Sequence, residues 1–372
     1  MTNAQTAYVF DEAFLGHDTG ERTQRLPDGS ELDPVEHPSN NRITRRTHQL
    51  IAGSGLLDRL TRIPARPATI EEIRFFHTPG YIDHVRAVAA AGGGMLDDQT
   101  RVSEGSFEAA LLAAGGAIEL ADAVVDGRVR NGYGLLRPIG HHAMADQGMG
   151  FCVFNNAAIV ARHLRRRRGI DRVAIVDWDV HHGNGTQSAV WDDPSVLFVS
   201  LHQENWYPGG WGGVDDIGGA AAEGTTVNLP LPPGTGNTGY RLAFERVVEP
   251  ILRRFEPEVV IVSAGQDGGM ADPLGRMLLT MAGFRELARR LQAVAEEVCG
   301  GRLIGLQEGG YSVSYTPFCT LGVVEGFAGA ESGIGDPWQG SSEVAQAERE
   351  HHARIDEAIE RARAVQAPYW GP

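Results

Sequence analysis

One stretch limits the possible folds of this chain more than any other. Val173 to Gln187 reads VAIVDWDVHHGNGTQ, in which a short β-branched run passes abruptly into polar residues. The apolar part is typical of a strand that is buried on both faces of a parallel sheet. Because ligands of open α/β sheets sit at the carboxyl ends of strands, the polar part predicts a site at that edge of the sheet.

The polar part offers a possible set of metal ligands. Asp177, Asp179 and His181 alternate with apolar residues, and side chains two residues apart share one face while strand geometry persists. Carboxylate oxygens with an imidazole nitrogen suit zinc or a similar divalent ion. Taken alone, the stretch is interpreted equally well as a polar strand end with satisfied side chains.

The same pattern of a buried strand that runs into small or polar residues recurs along the chain. Further strands are expected at Thr6–Phe10, Glu71–Phe76, Gly132–Arg137, Val196–Leu201, Val259–Ala264 and Leu303–Leu306. Helices are expected at Arg42–Leu60, Thr78–Ala91, Ser106–Val125, Asn156–Arg168 and Glu343–Ala367. Strands that alternate with helices of this length predict the α/β class, with an open, mainly parallel sheet flanked by helices.

The chain shows no internal boundary. No linker, charge run or repeat divides it, so we expect a single domain over residues 1–372, with a core at about 6–330. A polar loop at residues 17–41 is expected to form a pocket rim, and Gly92–Asp98 a second loop. Tyr369 and Trp370 are expected to cover either a partner subunit or the chain's own core.

Composition excludes several classes of protein. A net charge of -15 argues against a nucleic-acid partner, and no apolar run approaches the length of a membrane span. The N-terminus lacks a secretion signal, and the three cysteines lie too far apart to suggest a disulfide framework. We therefore expect a cytoplasmic protein that binds neither nucleic acid nor membrane.

Further polar residues fall at the ends of predicted strands. His141 and His142 are adjacent in a loop bounded by proline and glycine, Asp267 follows Val259–Ala264, and Tyr311 follows two glycines. A histidine pair at a strand end favours a functional role over a structural one. Asp267 alone would pass as an ordinary loop or capping residue.

These residue types together predict hydrolysis of an amide by metal-activated water. Asp179, His181 and Asp267 would hold the metal and leave one position open for water.

The histidine pair and the tyrosine would then manage protons and charge. His142 would take the proton from water and later give it to the leaving amine. His141 would stay charged, while Asp177 and Asn184 orient the two imidazoles. Tyr311 would hydrogen-bond the developing oxyanion.

Five blocks, in this order, resemble the signature motifs of the class II histone deacetylase and acetylpolyamine amidohydrolase family. They are RPIGHHA (137–143), GFCVFNN (150–156), VDWDVHHGNGTQ (176–187), SAGQDGGMADPLG (263–275) and EGGYS (308–312). The resemblance implies the arginase/deacetylase type of open α/β fold with long active-site loops. It also implies one zinc ion on the three ligands above, a catalytic histidine pair and a catalytic Tyr311.

The resemblance extends to further positions. It implies a potassium ion bound by Asp177, Asp179, His181, Ser200 and Leu201. It also implies an acyl channel lined by Gly150, Phe151, Tyr207 and Leu274.

Departures from the family pattern concern the substrate and not the chemistry. Gln266 and Gly268–Gly269 replace the usual residues after the SAG block, and the loop at His202–Gly212 is rich in tryptophan. Asp97 and Asp98 lie where relatives place an acidic rim residue that grips the substrate, and either is equally well interpreted as a solvated loop acid.

We therefore expect a zinc-dependent amidohydrolase that removes an acetyl or similar small acyl group from an acetylpolyamine, a small-molecule amide or an acetyl-lysine peptide. The alternatives are a silent acyl-amide binder on the same fold and an amidohydrolase of a specialised non-acetyl amide. A ureohydrolase would need the order D-x-H-x-D, whereas this chain has D-x-D-x-H-H. The resemblance also implies a homo-oligomer, a dimer or tetramer, in which the 17–41 loop could narrow a neighbour's channel.

Overall fold

The strands form one large sheet and two small hairpins. The structure is a computed structural model that describes residues 5–340 and 349–371. Its strands within those ranges are β1 (Thr6–Val9), β2 (Glu21–Arg22), β3 (Val35–Glu36), β4 (Thr61–Arg62), β5 (Gly93–Met95), β6 (Arg101–Ser103), β7 (Asn131–Gly134), β8 (Val173–Asp177), β9 (Val196–Gln203), β10 (Thr226–Leu231), β11 (Val259–Ala264) and β12 (Leu303–Gln307). Eight of them pair in parallel in the order β10-β9-β8-β11-β12-β7-β1-β4, while β2–β3 and β5–β6 are antiparallel. The expectation of an open, mainly parallel sheet is confirmed.

Helices cover both faces of this sheet. They are α1 (Asn41–Gly53), α2 (Ile70–Ile73), α3 (Pro79–Ala90), α4 (Ser106–Val125), α5 (Asn156–Arg168), α6 (Asn184–Val190), α7 (Asn237–Ala243), α8 (Glu249–Phe255), α9 (Met281–Cys299), α10 (Thr316–Ala328) and α11 (Arg349–Trp370). One face packs against α3, α4 and α5, and the other against α7 to α11. None of the helices in the described ranges is long and apolar enough to cross a membrane.

The central strands are buried on both faces because their side chains alternate between two cores. In β8, Val173 and Ile175 pack into the core on the α4–α5 side, whereas Ala174 and Val176 pack into the opposite core. Burying each valine or isoleucine is worth about 1.5–3 kcal/mol. A shift of register by one residue would exchange the two sets, so packing fixes where each strand ends.

One predicted strand is wrong. Glu71–Phe76 overlaps helix α2 and includes the turn after it. The helix starts there because Thr69 and Glu72 form a capping box, in which Thr69 Oγ1 accepts from the Glu72 N–H at 3.2 Å and Glu72 Oε2 accepts from the Thr69 N–H at 2.7 Å.

Other boundaries differ from expectation. The helix expected at Arg42–Leu60 ends at Gly53, the predicted 17–41 loop contains the β2–β3 hairpin, and the Gly92–Asp98 loop contains β5. Strands β4 and β10 had no predicted counterpart. The interior proline of β10, Pro230, is tolerated because this strand lies at the sheet edge.

The C-terminal helix covers that edge. Gln366 Nε2 donates to the Thr226 carbonyl at 2.9 Å, and Trp370 Nε1 donates to the Gly224 carbonyl at 2.7 Å. The Trp370 ring also lies 6.0 Å from that of Phe255. Trp370 therefore packs against the chain's own fold, while the predicted start of the helix at Glu343 lies outside the described residues.

Candidate active site

The predicted polar clusters meet at one edge of the sheet. The segment 177–181 starts at the last residue of β8, Asp267 follows β11, Tyr311 follows β12, and the segment 141–142 follows β7. These four strands are neighbours in the order β8-β11-β12-β7. Their carboxyl ends open into a cavity of about 780 Å³.

The three predicted metal ligands converge. His181 Nδ1 lies 3.2 Å from Asp179 Oδ1 and 2.9 Å from Asp267 Oδ2, and all three residues are buried. Backbone donors fix the carboxylates, because the Gly309 N–H donates to Asp179 Oδ2 at 2.7 Å and the Val180 N–H donates to Asp267 Oδ1 at 2.8 Å. One ligand atom from each residue lies within 4.8 Å of the other two.

The electrostatics of this triad fit a divalent cation. Burial would lower the pKa of His181, but its hydrogen bonds with Asp179 and Asp267 outweigh burial and raise the pKa to about 10. Two buried carboxylates therefore draw a positive charge to the point between them. Two oxygens and one imidazole nitrogen form a donor set that suits zinc, so these residues fit the ion that the family resemblance implies.

Two glycines leave room for the carboxylates of Asp179 and Asp267. A Cβ atom on Gly265 would lie 2.1 Å from Asp179 Oδ2, and one on Gly309 would lie 2.3 Å from Asp267 Oδ2. Any side chain at either position would displace one of these carboxylates.

The two adjacent histidines have different partners. His141 Nδ1 donates to Asp177 Oδ2 at 3.0 Å, and His142 Nδ1 lies 2.8 Å from Asn184 Oδ1. An amide oxygen can only accept, so the Nδ1 atom of His142 carries a proton in this pair. Its Nε2 atom is then free to accept another.

The histidines also differ in charge. Burial lowers the pKa of His142 well below its ordinary value, and the neighbouring His141 lowers it further. Burial would also lower the pKa of His141, but the carboxylates of Asp179, Asp177 and Glu308 outweigh it and raise the pKa well above its ordinary value. The pair therefore combines a neutral imidazole with a charged one.

Tyr311 faces the same cavity. Its backbone N–H donates to Asp272 Oδ2 at 2.6 Å, and its ring lies 5.6 Å from that of Phe151 in an edge-to-face contact. Burial raises the pKa of the Tyr311 hydroxyl well above its ordinary value, and the nearby carboxylate of Asp267 raises it further. The hydroxyl therefore stays protonated and can donate a hydrogen bond.

The residues predicted to line an acyl channel all line this cavity: Gly150, Phe151, Tyr207 and Leu274. Phe151 adopts a left-handed backbone conformation with φ 68°, and its N–H donates to Thr100 Oγ1 at 3.1 Å. The Tyr207 ring stands edge-on to His142 at 5.0 Å.

The two candidate rim acids are placed differently. Asp97 Oδ1 accepts from the Gln99 N–H at 3.0 Å and the Thr100 N–H at 2.6 Å, which is a local turn contact. Asp98 lines the cavity. Of these two acids, Asp98 is therefore the one that a ligand in the cavity would meet.

The residues of the predicted potassium site come from β8, the segment that follows it, and the neighbouring β9. Asp177 and Ser200 are register partners across β8 and β9, and the side chain of Leu201 packs into the core. Asp177 Oδ1 accepts from the Asp179 N–H at 3.1 Å, and Ser200 Oγ lies 2.9 Å from His202 Nδ1. The potassium ion stays a prediction.

Comparison with known proteins identifies the family. A sequence model of the histone deacetylase domain matches residues 37–327. The chain belongs to the histone deacetylase family. It is 41% identical over 345 residues to a histone deacetylase-like amidohydrolase of Pseudomonas aeruginosa, which covers 92% of this chain and 91% of that protein. It is 37% identical over 370 residues to a probable deacetylase of Archaeoglobus fulgidus, at 98% of both chains.

A solved structure of the same family confirms the predicted deacetylase fold. The crystal structure of the HDA15 HD domain superposes with a TM-score of 0.85 and 33% identity, covering 99% of this chain and 96% of that one. The human polyamine deacetylase HDAC10 is 37% identical over 96% of this chain, which spans 52% of that protein. The family assigned from the five motifs is therefore confirmed.

Sequence reasoning missed some residues of this deacetylase-family site. Glu308 was noted only as part of a motif, yet its buried Oε2 atom accepts from the Gly140 N–H at 2.9 Å and the His141 N–H at 3.2 Å. An acid directly before two glycines at a strand end was the available signal. The rim residues His37 and Arg276 also line the cavity, and no sequence pattern indicated them.

Proposed function

We propose that the protein is a zinc-dependent amidohydrolase that removes an acetyl or similar small acyl group from an N-acylated amine. The observation that carries this proposal is the convergence of three kinds of group in one cavity. These are a buried triad of metal-ligand type, a histidine pair with one neutral and one charged ring, and a tyrosine hydroxyl that stays protonated.

The triad of Asp179, His181 and Asp267 would hold zinc. Bound there, the metal supplies Lewis acidity, which polarises an amide carbonyl and lowers the pKa of water. A potassium ion near Asp177 and Ser200 belongs to the same proposal.

The two histidines would divide the proton chemistry. The Nε2 atom of His142 takes a proton from the attacking water and returns it to the leaving amine. Asn184 holds His142 in the tautomer that leaves Nε2 free, since Nδ1 donates to the amide oxygen. His141 keeps its positive charge beside Asp177. The positive charge of His141 stabilises the negative charge that develops in the transition state.

The tyrosine and the channel would bind the acyl amide. The Tyr311 hydroxyl donates to the oxyanion that develops on the carbonyl, and the loss of one such donor commonly costs about 2.7–4 kcal/mol. Phe151 and Tyr207 would form apolar walls for the aliphatic stem, with Gly150 and Leu274 completing the channel. Asp98 at the rim would contact the amine portion.

Hydrolysis of a substrate panel tests this proposal. Zinc-loaded protein is incubated with an acetyl-lysine peptide, N-acetylputrescine, N-acetylspermidine and a trifluoroacetyl-lysine reporter. We expect turnover of acetylated compounds, with kcat lowered about 10²–10³-fold in Tyr311→Phe and about 10²–10⁴-fold in His142→Ala.

A matched control separates these losses from general damage. Tyr369→Phe removes a hydroxyl from an exposed tyrosine in the C-terminal helix and should leave turnover unchanged. If folded, zinc-loaded protein binds acyl amides without hydrolysing any of them, the silent-binder alternative replaces this proposal. Turnover of the trifluoroacetyl reporter alone would point to a specialised non-acetyl amide.

A further inference from the structure

The mouth of the cavity has a charge pattern that differs from the rest of the molecule. The chain as a whole carries a net charge of -15. Among the described residues, however, the cavity is lined by three arginines, Arg22, Arg101 and Arg276, and by two exposed acids, Glu21 and Asp98. Positive charge is therefore concentrated where an amine portion would lie.

These arginines form no ion pairs with the described part of the chain. Within the described ranges, no carboxylate oxygen lies within 4.0 Å of their guanidinium nitrogens, in contrast to Arg66, which pairs with Glu72 at 2.7 Å. Arg101 Nη1 donates to the backbone carbonyl of Glu21 at 2.7 Å. Arg22 makes no side-chain hydrogen bond to the described part of the chain. Their charge remains available to a ligand.

Arg276 is the best positioned of the three. Its guanidinium stacks over the Trp206 ring at 5.6 Å, and Trp206 Nε1 is itself fixed by the Leu274 carbonyl at 2.8 Å. Nη1 donates to the carbonyls of Pro273 at 3.2 Å and Gly275 at 2.6 Å.

These contacts leave part of the guanidinium free. The Nε and Nη2 atoms of Arg276 donate to no acceptor among the described residues. A guanidinium held by stacking and by carbonyls presents these remaining donors in a fixed fork, the geometry that suits a carboxylate.

Two further titratable residues lie near the mouth. Asp97, next to Asp98, accepts from the Gln99 and Thr100 N–H groups of its own loop and does not line the cavity. His37 lines the cavity beside Phe151, with ring centroids 4.8 Å apart. Burial lowers the pKa of His37 to about 4, so it is neutral at pH 7. Farther in, the charges of Asp179 and Asp267 would be offset by a divalent ion.

We propose that the mouth selects acyl amides whose amine portion carries a carboxylate, and that Arg276 binds that carboxylate. This inference rests on the proposed function and deepens it, since it names the substrate class of the same site. An acetylated lysine with a free α-carboxylate is the simplest member of the class. Acetylpolyamines, which place an ammonium group at the same distance, are disfavoured.

Three compounds with one acyl stem isolate the effect of charge. Nα-benzoyl-Nε-acetyl-lysine carries the carboxylate, its α-carboxamide is neutral, and N-acetylcadaverine carries an ammonium group. We expect kcat/KM to be highest for the acid, exceeding the amide by roughly fivefold, the factor that a well-oriented exposed ion pair provides. About 1 M sodium chloride should reduce the difference by screening.

Variants assign the effect to the residue. Arg276→Gln should bring the acid and the amide to within about twofold of each other, because the loss in kcat/KM falls mainly on the acid. Arg128→Gln, a change at an exposed arginine that pairs with Asp126 at 3.6 Å and does not line the cavity, should keep the wild-type ratio. Equal kcat/KM for acid and amide in the wild type, or a preference for N-acetylcadaverine, would overturn the inference.

Binding separates this inference from the proposed function. Dissociation constants of the acid and the amide are measured by calorimetry on zinc-loaded Tyr311→Phe protein, with and without Arg276→Gln. If nothing is hydrolysed, the proposed function fails, and the ratio of dissociation constants still decides the charge preference. Tighter binding of the acid that disappears with Arg276→Gln supports the inference, and equal binding refutes it.

Discussion

We expect Gly265→Ala to weaken zinc binding without unfolding the protein. The added Cβ would lie 2.1 Å from Asp179 Oδ2 and 2.5 Å from Asp179 Cγ. Carbon atoms of this kind essentially never come closer than 3.0 Å, so the carboxylate must retreat by roughly 0.9 Å, whereas metal–ligand distances tolerate only about 0.2 Å. We expect zinc affinity to fall by at least about 10–100-fold, the loss that disturbed ligand orientation commonly causes.

Competition against a fluorescent zinc chelator measures this affinity, and circular dichroism of the metal-free protein checks the fold. Gly53→Ala is the matched control, because a Cβ at the end of α1 meets no atom within 4 Å. A folded Gly265→Ala protein whose zinc affinity stays within about twofold of the wild type would refute the assignment of Asp179 as a ligand.

Two further predictions concern stability. Burial lowers the pKa of His77 to about 3. Below pH 6.5 this histidine therefore binds a proton in the unfolded chain but not in the folded chain. Stability should fall by about 1.4 kcal/mol per pH unit between pH 6.5 and 3 from this residue alone. His77→Gln, which can still accept from the Asn155 N–H, should flatten the slope in urea titrations across that range, and an unchanged slope would contradict the assignment. Arg285→Met should lower the free energy of unfolding by about 3–5 kcal/mol, because it leaves the fully buried Glu325 carboxylate without its cationic partner. Arg289→Met removes an exposed ion pair and should lower the free energy of unfolding by less than about 1 kcal/mol. Equal costs for the two variants would show that burial is not the cause.

The central strands and their polar ends were predictable because two independent signals coincide there. A β-branched run such as Val173–Val176 marks a strand buried on both faces, and the first polar residue marks where it leaves the sheet. Parallel pairing then brings the ends together whatever their separation along the chain. That is how Asp179 and Asp267 could be assigned to one site before any contact was known.

Local competition between structures explains the errors. The segment Glu71–Phe76 pairs with no strand in the described part of the chain, and the Thr69–Glu72 capping box starts a helix there. A search of the sequence for helix-start signals would have found this box. To choose between Asp97 and Asp98 as the rim acid, one must know which carboxylate accepts hydrogen bonds from the backbone N–H groups that follow. That depends on loop conformation, on which composition gives no information.

Contacts across long sequence separations were beyond sequence reasoning. Glu308 holds the amides of Gly140 and His141, which are 168 and 167 residues away along the chain. Arg276 depends on Trp206 in a different loop for its orientation. No periodicity or motif records such pairings, because they arise only after the sheet has brought its loops to a common edge.

The β2–β3 and β5–β6 hairpins supply part of the cavity mouth, yet neither belongs to the eight-stranded sheet. The groups expected to perform chemistry instead follow four neighbouring strands whose ends are fixed by packing on both faces. Substitutions in the hairpins can therefore accumulate over evolution without moving the proposed metal ligands or the histidine pair. Such an arrangement lets descendants of one ancestral hydrolase acquire different substrates while inheriting an unchanged reaction.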